Sequence, residues 1–255
     1  MAPISRLAII AAIFTTAFIS ARPVPSAEVP ALHKRAPAYA SSIITTCTTP
    51  GVIALTFDDG PQAYTNELLD LLNATNSKAT FFINGLNNGD IHEYADVVKK
   101  AYDQGHQIAS HTYSHEDLAT LDKAGITYQM TELDTVLQSM IGVRPIYMRA
   151  PYGSYNDLAV NTLTELGYKI IGWDQDTKDW EHPEDVEASL DVYRDALLAP
   201  NATQRNGHIF LQHDTNRETA LSLGPLAAEY ALSRGYKVVT VGECLGEPQA
   251  NWYRV

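Results

Sequence analysis

The chain has 255 residues, 45% of them hydrophobic, and a formal net charge of −12, enough for one ordinary globular domain with a full-sized core. Its basic residues crowd the start: Arg6, Arg22, Lys34 and Arg35 against Glu28 give residues 1–35 a net of +3, leaving −15 on residues 36–255. So acidic a domain repels nucleic acid and anionic membranes, which excludes both as expected partners and leaves room for a neutral substrate.

Taken in chain order, the first segment is not part of the domain. Arg6, an apolar run over 7–19 and the small residues Ser20 and Ala21 read as a secretory signal over 1–21, too short to span a bilayer. Residues 22–35 are rich in Pro and Ala and end in Lys34-Arg35, the mark of a propeptide with a dibasic processing site. The mature, extracellular domain is therefore expected over 36–255, beginning near Ala36. Its two cysteines, Cys47 and Cys244, lie near the two ends. In an exported protein such a pair is expected to be bridged, and the chain-entropy model gives roughly 5 kcal/mol for so long a loop. Asn73-Ala74-Thr75 and Asn201-Ala202-Thr203 are glycan acceptor triplets, consistent with the same export route.

Within the domain, strand-like runs at 52–57, 79–83, 107–110, 146–148, 168–173, 208–211 and 237–241 alternate with helical patterns at 66–72, 94–102, 127–140, 158–166, 186–198 and 219–233. Gly105, Gly167 and Gly235 punctuate helix ends. This alternation predicts an α/β fold, a parallel sheet with helices outside. About seven parallel strands over this length predict a distorted (β/α) barrel, closed or nearly so, rather than an open sheet. No internal repeat, linker or second domain is visible.

The chemistry-bearing residues follow the C-terminal ends of these runs, where β/α barrels keep their active sites. Asp58 and Asp59 stand before the turn Gly60-Pro61 and read either as a strand-to-loop cap or as two carboxylates swung into the barrel mouth. His111 and His115 are spaced i, i+4, which puts both imidazoles on one face if the segment makes a helical turn. With one carboxylate they form a two-imidazole set that leaves positions open for water and substrate. Such ligands suit zinc, and also cobalt, nickel, manganese or iron. Arg149 brings a permanent charge that could orient a carboxylate and lower its pKa. Tyr152 follows Pro151, so its backbone N–H sits in a fixed turn, as an oxyanion hole requires. His213 could be a general acid kept protonated by Asp174, Asp176 or Asp179. His33, His92, His106, His182 and His208 have no matching partners in the sequence.

Together, Thr56-Phe57-Asp58-Asp59-Gly60-Pro61, His111-Thr112-Tyr113-Ser114-His115, Arg149-Ala150-Pro151-Tyr152, Asp176-Thr177-Lys178-Asp179-Trp180 and Leu211-Gln212-His213 resemble the five motifs of carbohydrate esterase family four, the polysaccharide deacetylases. The resemblance runs from about Cys47 to Cys244. Within the family, Thr80-Phe81-Phe82-Ile83-Asn84-Gly85 and Gly235-Tyr236-Lys237-Val238-Val239 look most like secreted fungal chitin deacetylases. The resemblance implies Asp58 as general base held by Arg149, Asp59, His111 and His115 as metal ligands, and the Tyr152 N–H as oxyanion donor. It implies His213 as acid tuned by Asp176, with Leu211 and Trp180 lining the substrate pocket. The implied cofactor is one divalent ion, zinc first and cobalt second; the implied substrate is chitin or chitooligosaccharide, acted on by a monomer. Ala150 stands where many relatives have Pro, so a less rigid loop is expected there.

Three alternatives carry different chemistry. An O-deacetylase of acetylated xylan would use the same residues on a better leaving group. A non-catalytic carbohydrate-binding protein would have lost the base or a ligand, and none is lost. A non-haem iron oxygenase also uses two histidines and a carboxylate, but usually within antiparallel double sheets.

Overall fold

Strand β2 (Val52–Asp58) is buried at all seven positions, as expected of a parallel strand covered on both faces. The computed structural model describes residues 43–198 and 206–255, all within one compact unit. The remaining strands are β1 (Ile43–Ile44), β3 (Thr80–Ile83), β4 (Gln107–Ser110), β5 (Arg144–Pro145), β6 (Tyr147–Met148), β7 (Lys169–Ile171), β8 (Gln175–Asp176), β9 (His208–His213), β10 (Lys237–Val239) and β11 (Tyr253–Arg254). Between them run α1 (Thr65–Ala74), α2 (Ala95–Asp103), α3 (Lys123–Ile141), α4 (Asp157–Glu165), α5 (Val186–Ala196), α6 (Gly224–Ser233) and α7 (Val241–Cys244). The expected signal, the propeptide and Asn201 lie outside the described residues.

Nine strands form one parallel sheet in the order β1-β7-β6-β4-β3-β2-β9-β8, with β10 beside the first half of β2. Its two ends, β1 and β8, do not pair with each other. Because β7 runs through residues 172–174 directly into β8, which pairs with β9, one stretch of chain bridges the gap. The expected distorted barrel is therefore present, with two short strands, β1 and β8, that the sequence did not reveal. A separate antiparallel pair, β5 with β11, ties the chain's C-terminal end to the barrel.

The period-two alternation of side chains decides what reaches the barrel interior. Along β2, Ile53, Leu55 and Phe57 join the cluster packed under α1, α2, α5 and α6. Val52 and Ala54 belong instead to an inner cluster with Phe82, Ala109, Tyr147, Ile171 and Ile209. Continuing each inner series by two residues along its strand gives Thr56 and Asp58, Asn84, His111, Arg149, Trp173, and then Leu211 and His213. The floor of the barrel is closed by Trp252, Val241 and Cys244. Cys244 is bridged to Cys47, with Cα atoms 4.9 Å apart.

Two local expectations are corrected. The run 237–241 ends as a strand at Val239, because the Thr240 hydroxyl accepts from the Glu243 N–H and caps α7. The helix expected over 219–233 opens as a π turn, Thr219–Leu223, before α6. Pro225 near the start of α6 has no N–H to continue an α-helical ladder backwards. Among the described residues no helix is long and apolar enough to cross a membrane.

Candidate active site and metal centre

Asp58 continues the inward series of β2, but an extended Asp59 would point away from it. Asp59 instead adopts a left-handed backbone (φ 73°) that turns its carboxylate back into the mouth. The two histidines do not share a helical turn. They converge through a loop in which Thr112 (φ 71°) and His115 (φ 57°) are also left-handed. Tyr152 (φ 60°) and Lys178 (φ 55°) repeat the pattern; of the six such non-glycine residues among the described residues, Asp59, His115 and Tyr152 line one pocket, and Thr112 and Lys178 lie within two residues of others that do. Side chains disfavour this conformation, and its clustering at strand ends marks a place where geometry is held against local cost.

Asp59, His111 and His115 offer ligand atoms all within 4.8 Å of one another. Asp59 Oδ1 lies 3.0 Å from His115 Nε2 and 3.5 Å from His111 Nε2, yet it is buried with no hydrogen bond of acceptable geometry. The outer ring nitrogens are occupied: His111 Nδ1 donates to the Arg149 carbonyl at 2.8 Å, and His115 Nδ1 meets the Tyr152 hydroxyl at 3.1 Å. Both Nε2 atoms therefore face the unsatisfied carboxylate oxygen. Burial pushes the His111 pKa down against the pull of Asp58 and Asp59, favouring the neutral ring that ligation needs. Burial would raise Asp59, but His115 contact and the fields of His111, His115 and His213 outweigh it and hold the carboxyl at about 2. Two imidazole Nε2 atoms facing one ionised carboxylate, whose buried oxygen is otherwise orphaned, fit a divalent cation.

Asp58 Oδ1 accepts from Arg149 Nη1 at 2.7 Å, and its Oδ2 lies 3.9 Å from His111 Nε2. Arg149 is fully buried, a cost that its partners offset. It also donates to Thr56 Oγ1 at 2.7 Å and to the carbonyls of Ile171 and Gly172, and it stacks 4.2 Å from the Phe82 ring centroid.

His213 is the register partner of Asp58 on the neighbouring strand. Its Nδ1–H donates to Asp179 Oδ1 at 2.8 Å and its backbone N–H to Asp179 Oδ2 at 2.7 Å. Thr219 Oγ1 donates to the same Oδ2 at 2.8 Å. Burial alone would lower this imidazole, but the Asp179 hydrogen bond and charge, with Asp58 and Asp59 beyond, raise it to about 9. Asp179, rather than Asp176, is the carboxylate bonded to His213. Asp176 accepts instead from the Lys178 N–H and from Trp180 Nε1 at 3.3 Å, because left-handed Lys178 turns the chain between them. His208 also has a partner that its sequence context did not reveal, Asp174 at 2.6 Å.

Above these groups lies a pocket of about 370 Å³ lined by Asp58, Asp59, His111, His115, Tyr152, Trp180, Leu211 and His213. Asp176, Ala150, Gly153 and Trp173 complete its wall. Sequence reasoning missed Trp173 and left Asp179 as one of three candidate partners of His213. The parity of β7 carried a signal for the first; nothing in the spacing favoured Asp179 over Asp174 or Asp176. Ala150 is tied to its own loop. Its backbone is extended and its N–H donates to the Tyr155 hydroxyl at 3.1 Å. Asn73 is exposed at the end of α1.

Residues 45–171 match the family model for polysaccharide deacetylase. The chain is 49% identical over 214 residues to a chitin deacetylase of Pestalotiopsis sp, covering 84% of this chain and 70% of that one. It is 48% identical over 215 residues to a probable peptidoglycan-N-acetylglucosamine deacetylase of Arthroderma benhamiae, 83% of this chain but only 48% of the relative's length. The solved chitin deacetylase of Colletotrichum lindemuthianum superimposes with a TM-score of 0.79 at 40% identity, over 83% of this chain and 94% of that one.

Proposed function

Because the chain belongs to the polysaccharide deacetylase family, we propose that it is a metal-dependent N-deacetylase that releases acetate from N-acetylglucosamine units of chitin or chitooligosaccharides. Two of the relatives named above are chitin deacetylases. The observation that carries the reading is one pocket holding a carboxylate clamped by an arginine, an imidazole clamped by a carboxylate, and a cation-binding triad.

Asp59, His111 and His115 would hold the cation, zinc first by ligand type and cobalt second. A divalent ion there supplies positive charge that acidifies water and polarises a carbonyl. The remaining steps fall to the chain's own side chains. Asp58 Oδ2 takes a proton from water as its oxygen adds to the acetyl carbonyl carbon. The Tyr152 N–H stabilises the oxyanion that forms. His213, charged at neutral pH, gives its Nε2 proton to the amide nitrogen as the C–N bond breaks, leaving acetate and a free amine. Leu211, Trp180 and Trp173 shield the acetyl group and the sugar face. Asp179 orients and charges His213, while Asp176 supports the Trp180 wall.

An O-deacetylase of acetylxylan is the second reading, since the same residues would act on an ester, whose alkoxide leaves more readily than an unprotonated amide nitrogen. An acid charged up to about pH 9 is of more use to an amine leaving group, which favours the amide. Acetate release on chitooligosaccharides and on acetylxylan, with and without chelator, is the test. Chelator-sensitive release from the oligosaccharides supports the proposal; release from acetylxylan alone overturns it. Secretion with cleavage near Ala36, a glycan at Asn73, the monomeric state and the absence of nucleic-acid or membrane partners belong to the same proposal. N-terminal sequencing and mass analysis of secreted protein check the first two.

A further inference from the structure

Asn84 follows β3 directly, and the loops carrying the three proposed ligands meet on it. It is almost wholly buried. Its backbone N–H donates at 3.0 Å to the carbonyl of Gly60, the residue after Asp59. Its side-chain amide donates to the carbonyl of His111 and, at 2.9 Å, to that of Thr112. Its Oδ1 accepts from Asn87 at 3.2 Å. Thr112, left-handed, accepts the His115 N–H on its hydroxyl at 3.1 Å. One residue thus reaches the backbone beside Asp59, the carbonyl of His111 itself, and His115 through Thr112.

The donor type matters. Successive carbonyls of His111 and Thr112 turned towards one point repel unless a donor stands between them, and an amide NH2 supplies one hydrogen to each. A buried carbonyl left unsatisfied costs about 1–3 kcal/mol, enough to let this loop relax. The sheet does not need the contact. Ile83 already pairs with Ser110, and the His111 N–H already donates to the Ile83 carbonyl at 2.9 Å. What the Asn84 amide adds lies beyond the strand ends, in the loop backbone that aims the imidazoles.

We propose that Asn84 is a positioning residue that sets the Asp59, His111 and His115 geometry before the cation arrives; this rests on reading those three as cation ligands. The test is zinc affinity of the full chain, stripped of metal and titrated against a competing chelator. Wild type should bind one equivalent and His111→Ala none; a wild type that binds no zinc defeats the ligand reading itself. Asn84→Asp keeps the shape but removes both amide donors. Its Kd should weaken about 10–100-fold, the usual loss when a partner behind a metal ligand is removed. Asn84→Ser, with one donor left, should fall between. Leu137→Ala, a fully buried core position in α3, should lower Tm without moving the zinc Kd, separating positioning from general destabilisation. Folded Asn84 variants that hold zinc within about twofold of wild type would overturn the proposal. Should neither variant fold, hydrogen exchange of the Asn84 side-chain amide in metal-free wild type decides: slow exchange supports a preset brace, and fast exchange refutes it.

Discussion

Two sides of the pocket solve the same problem with opposite signs. On β2, the Asp58 carboxylate is clamped by the Arg149 guanidinium; one strand over, the His213 imidazole is clamped by the Asp179 carboxylate. The anchors differ in kind. Arg149 is rooted in the barrel interior by Thr56 and by the carbonyls of Ile171 and Gly172, and a guanidinium is a permanent cation. Asp179 sits in a loop after β8 and is fixed largely by His213 and Thr219. A base and an acid must hold opposite protonation states at one pH. The fold arranges this by burying a fixed charge on one side and a responsive pair on the other.

Breaking the fixed side should have the larger consequence. Asp58→Asn removes the proton acceptor while leaving Asp59, His111 and His115 in place. Turnover should fall by about 10^4-fold, the upper end of general-base contributions, with metal content unchanged by elemental analysis. Acetate release near the wild-type rate would overturn the role of Asp58. Arg149→Met tests the clamp. An uncompensated buried carboxylate should cost about 3–5 kcal/mol in urea unfolding, and the double variant Arg149→Met with Asp58→Asn should recover much of that loss. Additive losses would mean that the pair is not coupled.

Much of this comparison was legible in the sequence, because it depends on strand parity. Once 52–57, 107–110 and 208–211 are strands, alternation carries Asp58, His111 and His213 inward, and only the outer face needs helices. The same rule, extended from Thr80 and Phe82, reaches Asn84, and from Ile171 reaches Trp173. What could not be read lies in loops with left-handed residues. Asp174, Asp176 and Asp179 are equivalent by spacing, and it is the backbone at Lys178 (φ 55°) that sends Asp179 to His213 and Asp176 to Trp180. A helical turn was the simplest way to bring His111 and His115 together. The chain uses Thr112 and a hydrogen bond from Asn84 instead, a tertiary solution invisible to local periodicity. The π turn before α6 depends likewise on Pro225 within its neighbours' geometry.

On the responsive side, His213→Ala should lower kcat on chitooligosaccharides roughly 10^2–10^3-fold, with a smaller loss on an O-acetyl substrate whose leaving group needs no proton. Equal losses on both would argue that His213 binds rather than protonates. Asp179→Asn sharpens the contrast with the smallest change. In wild type the imidazole is raised from 6.5 to about 9, so its protonated form, and the stability it contributes, are full below 6.5 and lost as pH rises through about 9. Without the Asp179 charge, burial dominates and pulls the pKa down. A close opposite charge moves a pKa by about 1–3 units, so the alkaline limb of kcat/KM should move towards acid by at least about one unit. Asp176→Asn, which does not bond to His213, should leave that limb in place and act on KM through Trp180. If Asp176→Asn moved the limb and Asp179→Asn did not, the anchor of the acid would have been assigned to the wrong carboxylate.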